Sequence, residues 1–154
     1  MTDSPVTDFD ALYRAHGDRL WRSLLLFTGR AEVASDATAE AFAQAIRRGS
    51  ALRDPGAWIW KAAYRIAAGE MKREGMTVPL PEDRPDEHVE SIVDLMRGLG
   101  RLTPHQRAAI TLHYYAGYSH REVASIIGST TSAVGVHVHR AKAKLRRELG
   151  DDDG

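Results

Sequence analysis

The C-terminal part of the chain contains a segment whose outward side chains could read DNA. Over about residues 131–147 the apolar residues Val134, Val138, Ala141 and Leu145 fall on one face of a helix. The outward positions are then Ser132, Ala133, Val136, His137 and Arg140, followed by Lys144 and Arg147. Small or polar side chains can approach base edges, and the basic residues that follow can hold phosphates. A solvated helix with a basic end is the alternative.

A second segment places aromatic and basic side chains together. Its apolar stripe, which predicts a helix packed on a core, consists of Trp58, Ile59, Ala62, Ala63, Ile66 and Ala67. The face opposite that stripe carries Trp60, Lys61, Tyr64, Arg65 and Lys72. Aromatic rings stack on unpaired bases while basic groups hold the strand, so this face favours single-stranded nucleic acid. Rings that merely cover the edge of a bundle are the alternative.

A third segment has an acidic row at intervals of one helical turn. Glu32, Asp36 and Glu40 lie beside a face made almost entirely of alanine. Such rows are usually solvated surface. The short side chains of Ala39 and Ala43 would also let a partner helix approach, so the functional interpretation is a docking site for a basic partner.

Residue types for catalysis or metal binding are poorly placed. The chain has no cysteine, which excludes disulfides, thiolate metal sites and cysteine nucleophiles. It has no glycine-rich phosphate loop, no nucleophile elbow and no HExxH motif, and its seven histidines are scattered. We therefore expect a protein that is not an enzyme and that has no cofactor and no metal site.

The elements that would position these residues are helices in two groups. The segment around Pro79, Pro81 and Pro85 also contains Glu82, Asp83, Asp86 and Glu87, a composition typical of a linker. We predict an all-α fold of two small helical domains joined by an acidic, proline-containing linker, the second domain being a helix-turn-helix. The first domain is predicted at residues 1–75, the linker at 76–89, the second domain at 90–148 and an acidic tail at 149–154.

Local signals predict where several helices begin and end. Asp54 and Pro55 form an N-cap and first-turn pair. Residues 103–106 and 119–122 have the spacing of capping boxes, and Gly128 is expected to end the helix that the second box begins. Residues 129–131 can cap the last helix. A helix, a short glycine turn and a second helix make the helix-turn-helix pattern.

Charge is distributed unevenly along the chain. The net charge is zero, yet residues 90–150 contain 9 basic and 4 acidic side chains, between the acidic linker and the acidic tail. This basic segment can attract phosphates. No apolar stretch reaches the length that a bilayer requires, and no signal sequence is recognisable at the N-terminus. We therefore expect a cytoplasmic protein without membrane insertion.

Several motifs together resemble the extracytoplasmic-function (ECF) sigma factors, the two-domain RNA polymerase specificity subunits of the sigma-70 family. Residues 34–42 (ASDATAEAF) resemble the family segment AEDLxQEAF, and residues 52–59 (LRDPGAWI) resemble the segment that follows it. Residues 99–107 (LGRLTPHQR) resemble the entry to the family's domain four. Residues 118–124 (YSHREVA), with Val134 and 139–141, resemble its helix-turn-helix.

The resemblance implies a role for each candidate surface. The acidic row, with Ala39, would dock on core RNA polymerase. Trp60, Lys61, Tyr64, Arg65 and Lys72 would bind the melted minus-ten promoter element. The helix-turn-helix would bind the minus-thirty-five element through Arg121, Ser132, Ala133, Val136, His137, Arg140 and Lys144. The chain departs from the family pattern at Gly135 and His137, where basic residues are common.

The implied function is a sigma factor that directs promoter-specific transcription initiation. Its partners would be core RNA polymerase and promoter DNA, and the resemblance also allows an anti-sigma factor. Two alternatives remain from other classes of protein. One is a helix-turn-helix regulator that acts without polymerase, and the other is a sigma-like decoy that binds only protein.

Overall fold

The structure, a computed structural model, describes residues 7–73, 75 and 87–150. These residues form helices and no strand, which confirms the predicted all-α class. The helices are α1 (Phe9–Thr28), α2 (Ala31–Arg48), α3 (Pro55–Arg73), α4 (Glu87–Gly100), α5 (Pro104–Ile110), α6 (His120–Ile127) and α7 (Thr131–Glu148). A 3-10 turn at Gly49–Ala51 precedes α3, and a π-helical turn at Thr111–Tyr115 continues α5.

The helix ends follow the local signals in the sequence. Asp54 caps α3, because its Oδ1 accepts a hydrogen bond of 3.1 Å from the backbone N–H of Ala57. Both predicted capping boxes are formed, one at the start of α5 and one at the start of α6. Gly128 ends α6 with φ of 69°, a left-handed conformation that favours glycine. The side chain of Thr130 caps α7. These features confirm the predicted helix-turn-helix, α6 followed by α7.

The helices form two groups that pack against each other. We call α1 to α3 the first half, and α4 to α7 with the π-helical turn the second half. The first half is a three-helix bundle, and in the second half α7 packs on α4, α5 and α6. Helix α3 also contacts α6, and α1 contacts the π-helical turn. One apolar cluster consequently contains residues of both halves, among them Leu24, Ala63, Leu112, Val123 and Val134.

Only the C-terminal end of the predicted linker lies within the described residues. Helix α4 begins at Glu87, so the last three residues of the predicted linker 76–89 are helical. Residues 76–86 and 151–154, which hold the rest of the linker and most of the predicted tail, lie outside the described residues. The division into two domains stays a prediction. None of the described helices is long and apolar enough to cross a membrane.

Candidate functional site

The acidic row (Glu32, Asp36 and Glu40) lies exposed along α2, and Ala39 is exposed beside it. Glu40 accepts hydrogen bonds from Gln44 (3.0 Å) and Arg47 (3.1 Å), and these bonds lower the pKa of its carboxyl group. Glu32 and Asp36 have no ion-pair partner among the described residues. The row therefore presents carboxylates to solvent, two of them free to bind a cationic partner.

The two aromatic residues of α3 lie in the core, contrary to the sequence prediction. Trp60 is 0% exposed and Tyr64 is 2% exposed. The prediction assumed that α3 buries one face, whereas α3 is covered both by its own bundle and by the second half. Lys61, Arg65 and Lys72 are exposed as predicted. The aromatic rings and the basic groups are thus neighbours on α3, but the rings are inaccessible to a nucleic-acid base in this arrangement.

Both rings contact the second half as well as α1. The ring of Trp60 meets that of Tyr118 edge to face, with centroids 5.2 Å apart, and its Nε1 donates a hydrogen bond of 3.3 Å to Nδ1 of His16. The ring of Tyr64 stacks on Phe27 at 5.0 Å. Stacked and edge-on aromatic contacts add to the stability gained by burial. The two rings therefore take part in the contact between the halves.

The hydroxyl group of Tyr64 joins a buried polar network. It is hydrogen-bonded to the hydroxyl of Ser23 in α1 and, at 3.1 Å, to that of Thr111 in the π-helical turn. Ser23 and Thr111 are themselves buried. Burial raises the pKa of Tyr64 to about 12, because the phenolate is less stable away from water. The network thus connects the two halves through a neutral tyrosine.

The outer face of α7 agrees in part with the sequence prediction. Val134 (0% exposed), Val138 (5%) and Ala141 (0%) face the core as predicted. Ser132, Val136 and Arg140, at four-residue intervals, are exposed and lie in one row along the helix. Ala133 is partly covered, and Arg121 is exposed at the start of α6. The capped turn between α6 and α7 therefore leaves this row of α7 accessible to a DNA groove.

Two predicted outward residues of α7 are instead engaged within the chain. His137 stacks on His105 of α5 with ring centroids 5.4 Å apart, and burial, aided by His105 and Arg140, lowers the pKa of His137. The ammonium of Lys144 donates a hydrogen bond of 3.2 Å to Oε1 of Gln106. Both contacts join α7 to α5, which the helical spacing of α7 alone does not reveal. DNA contact by either residue requires that it leave these partners.

Arg107 of α5 is a buried cation that is not among the predicted site residues. It is 1% exposed, and its Nε donates a hydrogen bond of 2.7 Å to the carbonyl of Leu26 in α1. Its Nη1 and Nη2 have no hydrogen-bond partner in the described residues. Burial lowers its pKa to about 10. The available sequence signal was that Arg107 directly precedes the apolar residues Ala108, Ala109 and Ile110.

The structure also contains an apolar groove of about 920 Å³ that the sequence did not predict. Its walls come mainly from α4, the π-helical turn and α7, and they include Leu95, Leu99, Ile110, Tyr115, Leu145 and Leu149. Lys142 and Arg146 lie at the same groove. Leu95, Tyr115 and Leu149 are exposed, and exposed apolar patches of this kind are typical of protein-docking surfaces. The sequence of no single helix indicates this groove, because three elements must meet to form it.

Metal-binding geometry is absent from the described part of the chain. No group of three or more histidine and acidic side chains is close enough there to hold an ion. Four of the histidines form two ring pairs instead, His105 with His137 and His113 with His120. The arrangement can bind partners through exposed carboxylates, a helix-turn-helix and an apolar groove.

Comparison with known proteins agrees with this geometry. Residues 92–145 match the family described as "Sigma-70, region 4". The chain is 30% identical to the ECF RNA polymerase sigma factor BldN of Streptomyces coelicolor, over 94% of this chain and 61% of BldN. It is 30% identical to the ECF RNA polymerase sigma factor SigM of Mycobacterium tuberculosis, over 92% of this chain and 77% of SigM. It thus spans less than two thirds of the length of BldN.

The fold also has a counterpart among solved structures. The sigma factor RpoE of Bartonella quintana, in its complex with the anti-sigma factor NepR, superposes with a TM-score of 0.79. The superposition covers 93% of this chain and 97% of that one at 19% sequence identity. At this identity the likeness concerns the fold.

Proposed function

Because the chain belongs to the family of ECF RNA polymerase sigma factors, we propose that it binds core RNA polymerase and directs transcription initiation at specific promoters. It acts in the cytoplasm by binding and positioning, and the chemistry of RNA synthesis stays with the polymerase. The observation that carries the proposal is the exposed row on α7, placed by a capped turn after α6.

The first half supplies the surface for core polymerase. Glu32 and Asp36 are free carboxylates on the exposed side of α2, and Ala39 leaves space beside them. A cationic helix of the partner can therefore approach closely and form ion pairs. Glu40 already pairs with Arg47, so an ion pair between the partner and Glu40 contributes less binding free energy unless the partner displaces Arg47.

The second half supplies the surface for the minus-thirty-five element. Ser132 and Val136 lie near the N-terminal end of α7, where a groove-reading helix meets base edges. Arg140, one turn further along, suits a phosphate contact. Replacement of Arg140 by Ala should weaken promoter binding about equally for all sequences and reduce the salt dependence by about one unit. A change in base preference would instead assign Arg140 to base reading.

The minus-ten element is assigned to Trp60, Lys61, Tyr64, Arg65 and Lys72 on the basis of the resemblance. The exposed Lys61, Arg65 and Lys72 can hold phosphates in the observed arrangement. Stacking of bases on Trp60 or Tyr64 requires that the second half move away. An anti-sigma factor is proposed as a further partner, and the apolar groove is the surface that suits it.

Transcription from a library of random upstream sequences tests the function directly. Core RNA polymerase with this chain should select a common promoter motif, whereas core polymerase alone should not. The Asp36→Lys/Glu40→Lys variant should lose co-elution with core polymerase and lose selected transcription while its helicity persists. Asp18→Lys/Asp94→Lys makes the same change in charge on other exposed surfaces and serves as the matched control.

The same experiment separates the alternatives. A regulator that acts without polymerase would bind duplex DNA but would not co-elute with the enzyme. A decoy would bind protein and leave transcription from the library unselected. Co-elution of the Asp36→Lys/Glu40→Lys variant at the level of the parent would contradict the assignment of the acidic row.

A further inference from the structure

Two histidine rings stack between α5 and α7, beside the side chains that face DNA in the proposed function. The planes of His105 and His137 differ by 15°, and the ring centroids are 5.4 Å apart. We propose that His105 is a positioning residue that holds His137 away from DNA while both rings are neutral, and that protonation releases His137 to bind a backbone phosphate. The inference rests on the proposed function and adds to it a dependence of DNA affinity on pH.

The stacked position of His137 suits a neutral ring. Its Nδ1 is buried and has no hydrogen-bond partner among the described residues. One nitrogen of a neutral imidazole carries no proton, whereas both nitrogens of an imidazolium are hydrogen-bond donors. Protonation in the stacked position would therefore bury an N–H group that has no acceptor, which is costly. A protonated ring gains free energy by turning out into water.

Basic groups surround the stacked pair. Burial lowers the pKa of His137 most, followed by the charges of His105 and Arg140. Helix α3 contributes Lys61 and Arg65 to the cavity that His105 also lines, and no acidic side chain lines that cavity. Like charges disfavour protonation of a group between them. A proton on either ring therefore adds to a local excess of positive charge.

Carboxylates that could neutralise this charge are engaged elsewhere. Neither ring of the pair is in an ion pair with any of the described residues. The acidic residue of α7, Glu148, is about three turns from His137 and pairs with Arg101. On α6 the carboxylate of Glu122 binds the backbone in its capping box, while His120 lies against α7 as a further titratable ring. Repulsion between the two protonated rings is consequently unbalanced, and the stack should open in acid.

Release would place a second cation beside Arg140. His137 and Arg140 are three positions apart on α7, so their side chains are neighbours on the helix surface. Val136, which directly precedes His137, belongs with Arg140 to the exposed row that faces DNA. A protonated imidazole there can donate a charge-assisted hydrogen bond to a phosphate oxygen. Because each phosphate contact displaces counterions, one more contact steepens the dependence of log K on log salt concentration by about 0.9.

Binding of the full chain to a random-sequence DNA duplex tests the new contact. The salt dependence is measured at about pH 7.5 and about pH 5.5, a range in which histidines change charge. From the higher to the lower pH it should steepen by about one unit more in the parent than in His137→Gln. His139→Gln, at an exposed position of the same helix, is the matched control and should steepen as the parent does. Equal steepening in the parent and in His137→Gln would overturn the proposal.

Replacement of His105 tests its positioning role. His105→Ala removes the stacked ring and leaves His137 intact, so His137 should take up its proton at a higher pH than in the parent. Nuclear magnetic resonance of the His137 ring protons measures the midpoint, and the rise in DNA affinity should move to higher pH with it. His137→Arg supplies a permanent cation and should show the steeper salt dependence already at about pH 7.5. An unchanged midpoint in His105→Ala would reject the positioning role.

Co-elution with core RNA polymerase separates this inference from the proposed function. It is measured at about pH 7.5, where histidines are mostly neutral, on the same preparation of the parent protein. Failure of the parent to co-elute would reject the proposed function. A parent that co-elutes, but whose DNA binding responds to pH as that of His137→Gln does, would reject only the inference about His105 and His137.

Discussion

Replacement of Tyr64 by Phe removes one buried hydroxyl and keeps the ring. The hydroxyl bonds to Ser23 and Thr111. Thr111 keeps its hydrogen bond of 3.1 Å to the carbonyl of Ala108. The Ser23 hydroxyl, which is 0% exposed, loses the side-chain partner that Tyr64 provides. The loss of two buried hydrogen bonds, worth about 0.5–1.5 kcal/mol each, should lower the free energy of unfolding by about 1–3 kcal/mol. The stacking on Phe27 should persist.

Urea unfolding followed by far-ultraviolet circular dichroism measures this loss. Tyr13→Phe is the matched control, since Tyr13 is 56% exposed, and it should change stability by less than about 0.5 kcal/mol. Combining Tyr64→Phe with Thr111→Val should give less than the sum of the two single effects, because both changes break the same hydrogen bond. A loss for Tyr64→Phe no larger than that for Tyr13→Phe would refute the stabilising role of the network.

Two further predictions concern α5 and its contact with α7. The Oγ1 of Thr103 accepts a hydrogen bond of 3.2 Å from the backbone N–H of Gln106. Thr103→Ala removes this half of the capping box and should lower the free energy of unfolding by about 1 kcal/mol. Ser132→Ala, at an exposed position, is the control. The folded chain binds a proton at His137 less readily than the unfolded chain, because burial lowers its pKa. Stability should therefore fall as the pH drops from about 7 to about 5, and it should fall less in His137→Gln. An equal pH dependence in both proteins would contradict this assignment.

The sequence by itself determined the helices and most of their ends. Capping residues such as Asp54, Thr103 and Ser119 bond to backbone groups three positions away, so a few consecutive residues contain the whole interaction. The inward face of α7 was equally readable, because Val134, Val138 and Ala141 repeat at the helical period. The family motifs added the implied roles, and the roles of the individual site residues stay predictions.

Only the tertiary structure decided which residues the two halves bury between them. Helical periodicity predicts one buried face, and it placed Trp60 and Tyr64 opposite that face. The partners that cover these rings, Tyr118 and Thr111, lie more than 40 positions further along the chain. Arg107 also depends on a distant partner, because the carbonyl that accepts its hydrogen bond belongs to Leu26 in α1. No local pattern encodes a contact whose free energy depends on two distant surfaces meeting, so burial of a cation and two aromatic rings became visible only in the folded chain.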